Sequence, residues 1–111
     1  MHKFAEFEES MVISMVVNIE DVYRQIVEIA KKNEVGKVVL FGSRARGDNQ
    51  PKSDIDLAVY GCNNFLEFSD ELNEELWSLL QLDIINMDDA DISEELIKEI
   101  ERDGVELYDK V

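Results

Sequence analysis

The chain has 111 residues and one cysteine, and its 26 acidic and 11 basic residues give a formal net charge of −15. A chain of this length predicts one domain with a small hydrophobic core. The lone Cys62 excludes an internal disulfide, and the apolar run near the N-terminus is too short for a secretory signal or a membrane span. We therefore expect a single cytoplasmic domain over residues 1–111 that contacts no membrane.

The negative charge is concentrated in the C-terminal part of the sequence. The segment from Glu67 to Val111 has 16 acidic and three basic residues, whereas the segment from Lys31 to Ser53 has six basic and two acidic residues. Binding of a long nucleic acid requires the neutralisation of many phosphates, so the net charge disfavours it. The basic segment can still bind one small anion. Alternatively, the acidic part is only a solvated surface that promotes solubility.

The first half of the sequence predicts a helix followed by two strands. Apolar residues recur at helical spacing between Asn18, the expected N-cap, and Gly36, which ends the segment. The apolar run "KVVLF" predicts a strand that Gly42 terminates, and "IDLAVY" predicts a second strand. A short helix over Ser43 to Arg46 is expected directly after the first strand.

Helices and strands continue to alternate in the second half. Apolar residues at intervals of three and four predict a helix over Phe65 to Leu80, and "LDIIN" predicts a third strand. A last helix is expected to begin near Ser93, which caps an acidic first turn, and to end by Gly104. The final "VELYD" is expected to be a short extended tail. This alternation predicts an α/β or α+β fold with one small sheet.

The turn after the first predicted strand has the composition of a phosphate-binding loop. Gly42 and Ser43 lie where the strand meets the short helix, so free backbone N–H groups and the positive end of the helix dipole face an anion. Arg44 and Arg46 add positive charge, and an arginine side chain can form paired hydrogen bonds with phosphate oxygens. These four residues are predicted to bind a phosphate group.

Two aspartates one residue apart lie at the beginning of the second predicted strand. On an extended segment Asp54 and Asp56 point to the same face, and their carboxylates can converge on Mg²⁺. Asp83 interrupts the third apolar run in the same way, and it completes a three-aspartate site if the third strand neighbours the second. Two-metal phosphoryl and nucleotidyl transfer requires this arrangement. If Asp83 is structural instead, the third carboxylate must come from the later acidic stretch "MDDAD".

Each part of this pattern also has an ordinary structural explanation. Gly-Ser pairs occur in many turns, the arginines can be solvated, and Asp54 can cap or bend the entrance of a strand. The complete order of these features is more specific than any one of them. It consists of a strand, Gly-Ser, ten residues, Asp-x-Asp on a strand, a helix and an aspartate on a further strand.

The segment "GSRARGDNQPKSDID" resembles the Gly-Ser, ten residues, Asp-x-Asp signature of the DNA polymerase beta-like nucleotidyltransferase superfamily. From about residue 18 to residue 108, the chain is similar to its minimal nucleotidyltransferase branch, the MNT proteins. This resemblance implies a small mixed sheet flanked by helices, with magnesium and ATP as cosubstrates. It also implies that Gly42 and Ser43 bind the triphosphate, and that catalysis uses two Mg²⁺ ions held by Asp54, Asp56 and Asp83.

Residues 1–17 lie outside this resemblance. Phe4, Phe7, Met11 and Met15 recur there at helical spacing, which allows this N-terminal extension to pack on the domain or on a second copy of the chain in a homo-oligomer. The resemblance implies nothing about these residues.

Members of this branch are commonly paired with a HEPN toxin, and the minimal enzyme acts as antitoxin by transferring AMP from ATP to a toxin tyrosine. The resemblance therefore implies a protein adenylyltransferase, and the acidic segment from Glu67 onward suits a basic partner. Two other functions stay open. One is a non-catalytic binding module that neutralises its partner by occlusion, and the other is a nucleotidyltransferase acting on a small molecule or a nucleic-acid end.

Overall fold

The computed structural model describes residues 18–76 and 80–111. Helices and strands alternate along these residues almost as the sequence predicts. The elements in chain order are α1 (Ile19–Lys32), β1 (Lys37–Phe41), α2 (Ser43–Arg46), β2 (Ile55–Tyr60), α3 (Phe65–Glu75), β3 (Leu82–Asn86), α4 (Glu94–Asp103) and β4 (Val105–Asp109). Of the helices in these residues, none is both long enough and apolar enough to cross a membrane.

The four strands form one mixed sheet in the order β3-β2-β1-β4. Strand β1 pairs antiparallel with β2 and with β4, whereas β2 and β3 run parallel. The segment expected as an extended tail is therefore an edge strand. The predicted α+β fold with a small mixed sheet flanked by helices is confirmed.

Alternate residues of the strands face two separate apolar clusters. Val38 and Leu40 of β1 contribute to a larger cluster with residues of α1 and α3, whereas Val39 and Phe41 contribute to a smaller one with Ile100 of α4. Because successive strand side chains point to opposite faces, each face is covered by its own helices. A polar side chain on this sheet must therefore lie near a strand end or beneath one of these helices.

Side-chain caps fix the beginnings of two helices as the sequence predicts. The Asn18 side chain accepts hydrogen bonds from the backbone N–H groups of Glu20, at 3.0 Å, and Asp21, at 3.4 Å. The Ser93 hydroxyl accepts one from the Leu96 N–H at 3.1 Å. These side chains satisfy N–H groups that have no acceptor within the helix.

One predicted boundary is wrong. Helix α3 ends at Glu75 and not at Leu80, and its apolar spacing runs past this end because Leu76 and Leu80 are both still buried in the larger cluster. Residues 77–79 and the predicted N-terminal extension over residues 1–17 lie outside the described residues. Strand β2 begins at Ile55 as predicted, so Asp54 directly precedes the strand.

Two leucines of α3 test how strongly this helix depends on the core. Leu72 is fully buried, whereas Leu66 is 76% exposed on the same helix. We expect Leu72→Ala to lower the free energy of unfolding by about 3 kcal/mol, because it removes apolar contacts and leaves a cavity. The matched Leu66→Ala control should change it by less than about 0.5 kcal/mol. Urea unfolding measures both values, and equal effects would contradict the packing described for α3.

Candidate active site

The turn that follows β1 lies directly against a carboxylate of β2. Gly42 has φ +78°, and a Cβ atom built on it would overlap Oδ2 of Asp56 and lie 3.1 Å from Asp56 Cγ. The antiparallel pairing of Phe41 with Asp56 produces this proximity. Glycine is therefore required at this position for two reasons: the backbone has a positive φ, and the Asp56 carboxylate occupies the space that a Cβ would need.

The residues after Gly42 present polar groups that no other part of residues 18–76 and 80–111 uses. The backbone N–H groups of Ala45 and Arg46 both donate to the Gly42 carbonyl at 3.1 Å. The two preceding N–H groups, of Ser43 and Arg44, have no acceptor within so short a helix. Among the described residues the half-buried Ser43 hydroxyl also forms no hydrogen bond. This turn thus offers donors to a ligand beside the Asp56 carboxylate.

A second carboxylate lies next to Asp56 on the neighbouring strand. Asp56 is the register partner of Asp83 in the parallel β2–β3 pair, so both side chains lie on the same face of the sheet. The negative charge of Asp83 acts directly on the Asp56 carboxyl group. The prediction that the third strand neighbours the second is confirmed, and this pairing places Asp83 beside Asp56.

Burial and neighbouring charges raise the pKa of Asp56 to about 6. Partial burial contributes most, and the negative charges of Asp83, Asp54 and Glu99 follow in that order. Each of these effects disfavours the ionised carboxylate. In the folded chain, Asp56 therefore retains its proton to a higher pH than an exposed aspartate does.

The three predicted metal ligands are not all equally close together. In the described parts of the chain, no three His, Cys, Asp or Glu side chains are grouped as they would be around one ion. Asp56 and Asp83 are register partners on neighbouring strands, and both Asp83 and Asp54 are near enough to act on the charge of Asp56. Carboxylate oxygens are the ligands that Mg²⁺ prefers. The donor chemistry thus fits magnesium, with the Asp56 and Asp83 pair as its centre.

Both predicted phosphate-binding arginines form hydrogen bonds within the fold. The Arg44 guanidinium donates to the backbone carbonyls of Ser53 and Pro51. Arg46 pairs with Asp48, at 3.2 Å, and with Glu99 of α4, at 3.5 Å. The binding of phosphate by either arginine stays a prediction, as do the roles of Gly42, Ser43 and the three aspartates.

Sequence analysis did not identify Glu99 as a residue of this site. Its side chain lies on α4, pairs with Arg46 and raises the pKa of Asp56. The helical pattern places Glu99 beside the buried Ile100, but no local pattern links it to β2, because the contact depends on how α4 crosses the sheet.

The acidic stretch considered as an alternative source of the third carboxylate has another role. Asp88 accepts hydrogen bonds from the N–H groups of Gly61 and Cys62, which follow the C-terminal end of β2. Asp89 accepts one from the Asp91 N–H. The Asp56 carboxylate lies at the opposite end of β2, so Asp83 is the aspartate of this part of the chain that reaches it.

The raised pKa of Asp56 predicts a pH-dependent effect on stability. A folded-state pKa of about 6, above the ordinary 3.8, means that ionised Asp56 destabilises the fold fully above pH 6 and not at all below pH 3.8. In metal-free buffer at pH 8, Asp56→Asn should therefore raise the free energy of unfolding, by about 1 kcal/mol after allowance for solvent screening.

At pH 5 the gain in free energy of unfolding from Asp56→Asn should be about half of its value at pH 8. This pH is still above the sequence pI of 4.2, so the chain should not precipitate. Thermal unfolding at both pH values measures it. Asp70→Asn, which removes a charge from the exposed face of α3, controls for the change in net charge. An Asp56→Asn gain that is equal at the two pH values would show that burial and neighbouring carboxylates do not act on Asp56.

Known proteins resemble the chain in sequence and in fold. A relative from Methanocaldococcus jannaschii, named "putative protein adenylyltransferase", is 40% identical over 70 residues, which cover 60% of this chain and 70% of the relative. A toxin-antitoxin crystal structure with AMP-PNP matches with a TM-score of 0.62 and 24% identity, over 79% of this chain and 73% of that one. A "putative minimal nucleotidyltransferase" matches with a TM-score of 0.61 and 23% identity, over 78% and 90% of the two chains.

The family comparison covers the complete site. The family model described as polymerase beta, nucleotidyltransferase matches residues 24–111, which include the Gly42 turn and all three aspartates. The structural matches share the mixed sheet flanked by helices. The family model matches most of the length of this chain, so the chain belongs to the polymerase beta-like nucleotidyltransferase family.

Proposed function

We propose that this nucleotidyltransferase is a magnesium-dependent antitoxin that transfers AMP from ATP to a tyrosine of a HEPN-type toxin in the cytoplasm. One observation supports it most strongly: Asp56, which is paired in register with Asp83, has its carboxylate directly against the Gly42 turn. Carboxylates for a divalent cation and donors for a phosphate are thus adjacent, as nucleotidyl transfer requires. The relative named as a protein adenylyltransferase and the toxin-antitoxin structure with an ATP analogue support the substrate and the partner.

The Gly42 turn would bind the triphosphate. The free hydroxyl of Ser43 and the first N–H groups of α2 would donate to the β- and γ-phosphate oxygens. The absence of a Cβ at Gly42 lets a phosphate approach the backbone closely. Arg46, whose side chain is 39% exposed, would add positive charge at the rim of the site. These donors would stabilise the pyrophosphate as it leaves.

Asp54, Asp56 and Asp83 would hold two magnesium ions. When bound, these ions lower the pKa of the attacking hydroxyl and neutralise charge on the phosphates. The tyrosine oxygen forms a bond to the α-phosphorus, and the bond from that phosphorus to the β-phosphate oxygen breaks. Asp83 would accept the tyrosine proton, and the electron pair of the broken bond leaves with pyrophosphate.

The exposed acidic surface supports a basic protein as the acceptor. Acidic side chains of α3 and α4 face solvent, among them Glu67, Glu74, Glu94 and Glu95. Charge complementarity accelerates association and selects partners of opposite charge. A toxin that binds RNA requires basic residues for the phosphates, so it would present the matching charge. The same surface would also support neutralisation by occlusion without chemistry, and the next variant distinguishes the two.

Asp56→Ala should abolish AMP transfer and leave binding of the toxin nearly unchanged. The carboxylate acts on the transition state, whereas the exposed acidic surface docks the partner. With labelled ATP, magnesium and the purified toxin, we expect transfer to fall about a thousandfold. Asp21→Ala, at a half-exposed aspartate of α1, is the control and should transfer AMP normally. If Asp56→Ala protects cells from the toxin as well as the wild type does, the antitoxin acts by occlusion.

Ser43→Ala and Asp83→Asn should separate nucleotide binding from chemistry. Loss of the Ser43 hydroxyl removes about one net hydrogen bond to the phosphates, so ATP affinity should fall by about 1 kcal/mol. Asp83→Asn should bind ATP like the wild type but transfer AMP much more slowly, because its carboxylate acts on the reacting hydroxyl. Calorimetric ATP titration and single-turnover transfer measure the two effects. Wild-type transfer by Asp83→Asn would make Asp83 a structural residue.

A further inference from the structure

The connection between β1 and β2 is held by a small set of hydrogen bonds near its end. Its last part is a closed turn, in which the Ser53 N–H donates to the Gln50 carbonyl at 3.0 Å. The Gln50 N–H donates in return to the Ser53 hydroxyl at 2.9 Å. Asp54 follows this turn directly and precedes β2. The position of its carboxylate therefore depends on how firmly the turn is anchored to the domain.

Arg44 anchors this turn from the opposite end of the connection. Its Nε atom donates to the Ser53 carbonyl at 3.1 Å, and an Nη2 hydrogen donates to the Pro51 carbonyl at 2.9 Å. These two atoms form one planar edge of the guanidinium, the edge that would otherwise bind a carboxylate or phosphate in a bidentate manner. In this structure, that edge is occupied by the backbone of the turn.

A tyrosine of α1 lies beside the guanidinium. Burial raises the pKa of the Tyr23 hydroxyl, the nearby positive charge of Arg44 opposes this rise, and the Tyr23 ring packs against the larger apolar cluster. Arg44 therefore lies between a core helix and the closed turn. Because Tyr23 packs on the core, it limits the space into which the guanidinium can move.

Asp54 lies between two backbone anchors. The carbonyl of Ser53, immediately before it, accepts the hydrogen bond from Arg44. The N–H of Ile55, immediately after it, donates to the Gln81 carbonyl at 2.9 Å and so joins β2 to the start of β3. Loss of the first anchor would leave the Asp54 backbone fixed on one side only.

We propose that Arg44 is a positioning residue, which holds the Asp54 carboxylate at the site by anchoring the Gln50–Ser53 turn, and that it is not a phosphate ligand. This inference rests on the proposed function for its effect on catalysis. Its structural part, the coupling of Arg44 to the turn, is independent of that function. A lysine keeps the charge of Arg44 but lacks the planar pair of donors, so Arg44→Lys separates the two roles.

Amide hydrogen exchange of the metal-free chain tests the structural part. At 12.8 kDa, the chain is small enough for residue-by-residue NMR. In Arg44→Lys, we expect the Ser53 amide to exchange about tenfold faster, with amides of β1 unchanged. Tyr23→Phe, which loses only the hydroxyl, should give a smaller increase in the same direction. Arg24→Lys, an exposed arginine of α1, should leave this exchange at the wild-type rate.

Nucleotide affinity and transfer test the catalytic part. In Arg44→Lys, the Kd for ATP should stay within about twofold of wild type because the charge is kept. Transfer at saturating ATP should fall by about tenfold or more, since small displacements of a catalytic group reduce rates strongly. Unchanged exchange in both Arg44→Lys and Tyr23→Phe, or a large loss of ATP affinity with normal transfer at saturation, would overturn the proposal. If the wild type transfers no AMP, the proposed function fails, but the exchange result still decides how Arg44 acts.

Discussion

The close contact between Gly42 and the Asp56 carboxylate determines where the other parts of the site lie. It follows from the antiparallel register of β1 and β2, in which Phe41 is opposite Asp56. The residue after Phe41 then begins the Gly42 turn, with the carboxylate already beside it. A side chain at position 42 would force the turn and the strand apart. The hydrogen-bond donors of the turn and the carboxylate oxygens of Asp56 are adjacent because two neighbouring strands are paired.

Burial of the sheet fixes this register. Ile55 and Leu57, on either side of Asp56, are fully buried in the larger cluster. A slip of one residue would move both apolar side chains to the opposite face and bury Asp56 against α1 and α3, where an ionised carboxylate is strongly disfavoured. The apolar residues that stabilise the fold therefore also orient the carboxylate. The parallel pairing of β2 with β3 then places Asp83 on the same face.

Much of this arrangement was predictable because it depends on local patterns. Glycine positions, apolar alternation and helix caps predicted the elements, and the Gly-Ser and Asp-x-Asp spacing predicted the candidate residues that the fold brings together. The end of α3 was not predictable, since Leu76 and Leu80 stay buried beyond the helix and so prolong its apolar spacing. The contacts of Glu99 and Arg44 were also missed. The contacts of Glu99 depend on where α4 meets the sheet, and those of Arg44 depend on how the connection after α2 folds back, so no spacing in the sequence encodes either set.

The same contacts explain why the site reduces the stability of its own fold. Asp56 is partly buried beside Asp83, and Asp54 and Glu99 add further negative charge, so its ionised form is disfavoured. Relaxation of the turn would relieve this repulsion by moving Asp54 away. Arg44 opposes that movement through the Ser53 carbonyl, and the β2–β3 pairing opposes it from the other side. A site that concentrates carboxylates thus requires anchors outside the carboxylates themselves, and in this chain they are backbone hydrogen bonds to a core-linked arginine and to a neighbouring strand.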